Sequence, residues 1–140
     1  MFALLLAMTL QTTFTLNSSL PSAPESAVAW SKGTDVEIAT GSSGPRLITA
    51  VYSDAPGGNS AYAGYAVSSS DGTCKVEINR TIPVFYGYAA ERMTLEHEIG
   101  HCLGLPHNSV KRSIMNPVLD PHNPLPGPSS YDRRQVNLRY

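Results

Sequence analysis

Polar and apolar positions repeat with readable periods through the middle of the chain. Asp35–Ala39 (DVEIA) alternates, setting Val36 and Ile38 on one face. Arg46–Tyr52 (RLITAVY) is β-branched and more continuous, as an interior strand would be. Ala61–Val67 (AYAGYAV) carries a glycine among small residues, which fits an edge strand or a close backbone approach. Cys74–Arg80 (CKVEINR) puts Cys74, Val76 and Ile78 on one face and Lys75, Glu77 and Asn79 on the other. Turn-forming stretches separate these four segments: GSSGP at 41–45, DAPGGN at 54–59 and SSSDG at 68–72.

The period then changes. From about Glu91 to Leu103, at about 100° per residue, Leu95, Ile99, Cys102 and Leu103 gather on one side of a helix. His97 and His101 project from nearly the opposite side, one turn apart. After Gly104 the chain is irregular and rich in Pro and Asn through Pro128. A last helix is predicted from Ser129 or Ser130 through YDRRQVNL, with Asp132 well placed in its first turn. A short helix is expected earlier, at Glu25–Lys32, with Pro24 suited to its first turn. Strands followed by helices predict an α+β fold, a twisted sheet of four or five strands packed on the helix that carries His97 and His101.

Length and charge narrow the function. A chain of 140 residues supports one core. Its net charge of −1 and the lack of any Lys/Arg run argue against nucleic acid as a partner. The apolar stretch Phe2–Leu10 (FALLLAMTL) resembles the core of an export signal, although no Lys or Arg precedes it. A buried first strand or a misplaced start codon explains it equally well. It is too short to span a bilayer as a helix, so no integral membrane span is expected. Residues 1–11 are therefore read as a signal-like or disordered segment, and 12–140 as one domain. Two cysteines allow a single disulfide at most. Cys74 and Cys102 each lie on an apolar face, so a bridge from sheet to helix is reasonable, with two separate buried thiols as the alternative.

The chemistry concentrates in residues 95–117, LEHEIGHCLGLPHNSVKRSIMNP. His97-Glu98-x-x-His101 sets two imidazoles one turn apart, within reach of a single ion, and Glu98 beside the ion's open position. Gly104 lets the chain leave the helix in a left-handed conformation, so that His107 can return as a third ligand. Three neutral imidazoles with one open position make a catalytic type of Zn2+ site, since structural sites are closed by four protein ligands. The five fixed positions coincide by chance on the order of once in 10⁵ chains of this size, which sets the accidental reading aside.

HEIGHCLGLPH resembles the zinc-binding signature of the metzincin metallopeptidases, His-Glu-x-x-His-x-x-Gly-x-x-His. SIM at 113–115 resembles that clan's Met-turn. The spacing from His107 to Met115, the following Asn116-Pro117 and the tail SSYDRRQVNLRY are most similar to the matrixin branch. The specific likeness covers about 97–140; upstream, AVAWSKGTDVEIA is similar only to the end of the first metzincin helix leading into a strand.

The resemblance implies a zincin-like fold with a small twisted mixed sheet, an active-site helix and a C-terminal helix. It implies a zinc-dependent endopeptidase in which His97, His101 and His107 hold Zn2+ and Glu98 is the general base for the attacking water. Met115 would pack beneath the metal without binding it. A peptide or protein substrate would lie along an edge strand, either AYAGYAV or CKVEINR. The loop Asn116–Pro128 would wall the pocket for the side chain after the scissile bond, with Val118 and Leu125 as its apolar residues. A secreted monomer is expected. Pro117 stands where astacin-like members carry a tyrosine, and no loops for structural calcium or a second zinc are evident before His97. Two rival functions share the site: a non-catalytic zinc-binding domain and a cell-wall peptide amidase. Retained Glu98 argues against the first, because a structural site has no use for a base.

Overall fold

A computed structural model describes residues 11–140, so the apolar stretch Phe2–Leu10 lies outside the described residues. The elements run β1 (Thr12–Ser18), α1 (Ala23–Ser31), β2 (Val36–Thr40), β3 (Leu47–Ser53), β4 (Gly64–Ser68), β5 (Cys74–Asn79), α2 (Thr81–Tyr86), α3 (Tyr88–Cys102) and α4 (Ser130–Asn137). One five-stranded sheet has the order β2-β1-β3-β5-β4. The pairs β1/β2, β1/β3 and β3/β5 are parallel, while β4 runs antiparallel to β5 and closes one edge. The fold is α+β with a mixed sheet, as expected.

Alternation puts one face of the sheet in the core. Phe14, Leu16, Val36, Ile38, Ile48, Ala50, Val76 and Ile78 are buried, while Glu37, Val51 and Lys75 are exposed. Two elements were not anticipated. In β1, Phe14 and Leu16 alternate with threonine and asparagine, a period-two pattern too short to stand out beside the apolar run before it. In α2, Ile82 is the one buried residue of a single Pro-containing helical segment, so packing and not propensity holds it.

The long helix α3 keeps Leu95, Ile99, Cys102 and Leu103 in the core, as expected, and its burial extends round nearly the whole circumference, taking in Met93, Thr94, Glu96, His97 and Glu98. It lies between the sheet on one side and α1 and α2 on the others. Trp30 of α1, fully buried, donates its indole N–H to the Glu96 carbonyl at 2.9 Å. The buried Glu91 carboxylate accepts from the Ser22 N–H (3.2 Å), the Ser22 hydroxyl (2.5 Å) and the Tyr52 hydroxyl, joining α1, β3 and α3. The Cys74–Cys102 disulfide is formed and staples the start of β5 to the end of α3. Closing a loop of 28 residues is worth about 3–4 kcal/mol in the chain-entropy account.

Candidate metal centre

The end of α3 makes the site. Leu105 N–H bonds the Gly100 carbonyl at 3.0 Å and Gly104 N–H the His101 carbonyl at 2.9 Å, the paired bonds of a Schellman turn. Gly104 takes φ +89°, a conformation that disfavours any side chain, and the chain doubles back there. His107 is thereby returned to the helix. Its Nε2 lies 3.1 Å from His97 Nε2 and 3.2 Å from His101 Nε2, and the last two nitrogens are 3.2 Å apart.

Those spacings fit a metal. A tetrahedral zinc ion with bonds of about 2.0–2.1 Å needs its nitrogens about 3.3 Å apart. The tautomers fit as well. His97 Nδ1 faces the Ile114 carbonyl at 2.7 Å and His101 Nδ1 the Leu105 carbonyl at 2.8 Å. A carbonyl only accepts, so each Nδ1 carries the proton and each Nε2 keeps a free lone pair aimed at the common point. Burial pushes the His97 imidazole down to about 4 and lowers His101 too, which favours the neutral, ligating form of both. Among the described residues this is the one group of three or more His, Cys, Asp or Glu side chains able to hold an ion.

Glu98, next along the helix from His97, opens onto the same cleft of ≈ 780 Å³. It is 6% exposed, and burial pushes its carboxyl up to about 7. The cleft is roofed by Ala61–Ala66 and floored by Ile82, Met93 and Thr94.

The matrixin sequence profile matches residues 30–138. The chain belongs to the matrixin family. Matrixins are zinc metallopeptidases, and this matrixin has the imidazole trio able to bind Zn2+. No curated protein matches the sequence. Among solved structures, the chain is similar to high choriolytic enzyme 1, a hatching-enzyme zinc-protease from the medaka fish Oryzias latipes. The two share 15% identity over 91% of this chain and 88% of that one, with a TM-score of 0.59. It is also similar to metalloproteinase-II from Bacteroides fragilis at 15% identity and TM-score 0.50, covering 91% of this chain and 52% of that one, about half its length. At such identities these two likenesses speak to fold alone.

Other parts of this matrixin's site were anticipated unevenly. Met115 is buried, as expected, and packs against Gly100 of α3, where the lack of a side chain admits both the thioether and the Trp30 ring. The edge strand is β4 and not β5. In the wall loop the lining residues are Pro117, Leu119 and Pro121, whereas Val118 is 86% exposed and points away. Leu125 packs on the core instead, its N–H reaching Met93 Sδ at 3.3 Å. His122 is exposed, in an edge-to-face contact with Tyr86 at 4.9 Å between ring centres. Asn79, which fits a glycosylation pattern, is buried with its amide bonded to the Ser60 and Tyr62 carbonyls.

Sequence reasoning missed the anchor beneath the site. Asp132 of α4, fully buried, accepts from the Ser113 hydroxyl, the Ile114 N–H (2.9 Å), and the Ser129 N–H and hydroxyl (2.8 Å each). It thus holds the backbone whose Ile114 carbonyl orients His97. The S-x-x-D spacing at 129–132 announces the helix cap, but nothing local announces the bond to Ser113.

Glu96 was missed too. Its carboxylate is fully buried, neither oxygen has a hydrogen-bond partner, and Arg92 Nε stands 3.6 Å away. Burial, partly offset by Arg92, pushes the carboxyl up to about 8. The folded state therefore holds a proton that the unfolded chain releases near the ordinary glutamate value of 4.5, so stability falls as pH rises through that interval and levels off above about 8. Glu96→Gln is expected to flatten that slope. Melting temperatures of both proteins from pH 5 to 9 measure it, and parallel curves would mean an ordinary carboxylate.

Proposed function

We propose that this matrixin is a zinc-dependent endopeptidase acting on extended polypeptides. The observation that carries the reading is one cleft into which the three converging nitrogens and the Glu98 carboxylate all open, beneath a strand with a free edge. His97, His101 and His107 are the ligands that would hold Zn2+ through Nε2. When bound, the ion supplies Lewis-acid polarisation of the scissile carbonyl and a lowered pKa for water.

The chain's own residues do the rest. A substrate strand pairs antiparallel to β4, main chain to main chain, across the mouth of the cleft. Ile82, Met93 and Leu119 take up the side chain after the scissile bond, favouring an apolar one. A Glu98 carboxylate oxygen accepts a proton from the attacking water as the new C–O bond forms. It then delivers that proton to the leaving nitrogen as the C–N bond breaks. The disulfide suits an oxidising compartment, and we place the protein outside the cytoplasm.

Zinc-loaded protein incubated with casein and with purified peptidoglycan tests the reading. Internal cleavage of casein, stopped by a chelator and restored by zinc, is expected, with peptidoglycan untouched. Release of cell-wall peptides without casein cleavage would make it an amidase. Zinc retention with neither activity would make it a binding domain.

A further inference from the structure

Among the described residues no side-chain or backbone donor bonds the Glu98 carboxylate to set its place. A base that must meet one water and one leaving nitrogen in turn needs a fixed position. Packing alone has to supply it, and the part that does so is the roof of the cleft.

Gly64 opens β4 directly over Glu98. A Cβ at residue 64 would stand 2.6 Å from Glu98 Oε1, 2.8 Å from its Cγ and 3.0 Å from its Cδ. The strand cannot readily retreat, because Gly64 is in register with Ile78 of β5 and the Asn79 N–H bonds the Ala63 carbonyl at 2.8 Å. Nor is glycine needed here for its backbone, since Gly64 is not among the residues with positive φ. What position 64 contributes is room. We propose that Gly64 is a positioning residue for the reaction: the notch left by its missing side chain seats the Glu98 carboxylate under the substrate strand. This rests on Glu98 being the general base.

An alanine there is cheap for the fold and costly for catalysis. The atoms it meets belong to one flexible side chain, which gives way before the sheet does. Restoring contacts of about 3.5 Å displaces the carboxylate by on the order of 1 Å, and a misplacement of that size is worth about 10²-fold in rate. A substrate still pairs with β4 and still fills the apolar pocket, so its affinity is spared.

Zinc-loaded Gly64→Ala, assayed on an internally quenched peptide, should therefore keep one zinc per chain and a KM within about threefold of native, with kcat down about 10–100-fold. The melting penalty of Gly64→Ala should shrink or vanish in a Glu98→Ala background, where the obstructing side chain is gone. That second comparison needs no activity and holds even if the single variant fails to fold. Native kcat in Gly64→Ala, or a melting penalty of several degrees that persists undiminished in the Glu98→Ala background, overturns the proposal. If Glu98→Gln alone leaves turnover intact, the fault lies instead with the assignment of the base.

Discussion

Replacing Glu98 by glutamine is expected to leave zinc bound and to lower kcat by about 10²–10⁴-fold, the usual worth of a positioned acid–base group. The two side chains have the same length and nearly the same volume, so the packing under β4 is preserved. The amide oxygen cannot take up a proton at neutral pH, and both transfers in the proposed cycle need it to. Metal retention should be unaffected, because the converging atoms are the three imidazole Nε2 nitrogens and Glu98 is not among them. Zinc content measured beside steady-state rates separates the two effects. Unchanged turnover with full zinc would remove Glu98 from the mechanism, and loss of zinc would mean that it binds the metal.

Asp132→Ala should be the most damaging single change outside the ligands, costing about 3–5 kcal/mol through buried groups left unpaired. Four donors converge on this carboxylate: the Ser113 and Ser129 hydroxyls and the Ile114 and Ser129 N–H groups. For a chain of this size the loss is roughly 10–20 °C in melting temperature. Zinc affinity should fall with it, because the freed segment includes the Ile114 carbonyl that fixes the His97 tautomer.

Asp132→Asn should be little better. The Ser113 hydroxyl oxygen already accepts from Asn108 Nδ2 at 2.9 Å and Met115 N–H at 3.0 Å, so its own hydrogen is committed to Asp132. An amide nitrogen placed there sets donor against donor. Thermal melts and competitive zinc titrations of both variants check this, and native melting in either would show that the anchor carries little.

The contrast between these two carboxylates explains what could be read in advance. Glu98 and the histidines are legible because their geometry is local. One helical turn separates His97 from His101, and one glycine reverses the chain before His107. The alternation in β5 and the capping pattern of α4 are local in the same sense, and the structure follows them closely. Asp132 meets Ser113 across 19 residues of irregular chain, with no period to announce the pairing.

Burial of the whole α3 circumference was also invisible. The period shows the apolar side of α3, but the burial of Glu91, Glu96 and Glu98 depends on α1, α2 and the sheet enclosing the helix. The missing side chain at Gly64 was legible only as a close approach of backbone. That the approaching group is the Glu98 carboxylate depends on the register of β4 over α3.

In the proposed site three imidazoles of this chain hold one zinc ion and leave a position open. X-ray absorption at the zinc edge of the purified protein tests it most directly. One zinc per chain is expected, with three histidine nitrogens at about 2.0–2.1 Å and a single further oxygen ligand. A sulfur ligand, fewer than three histidines in the shell, or protein that binds no zinc at all would contradict it.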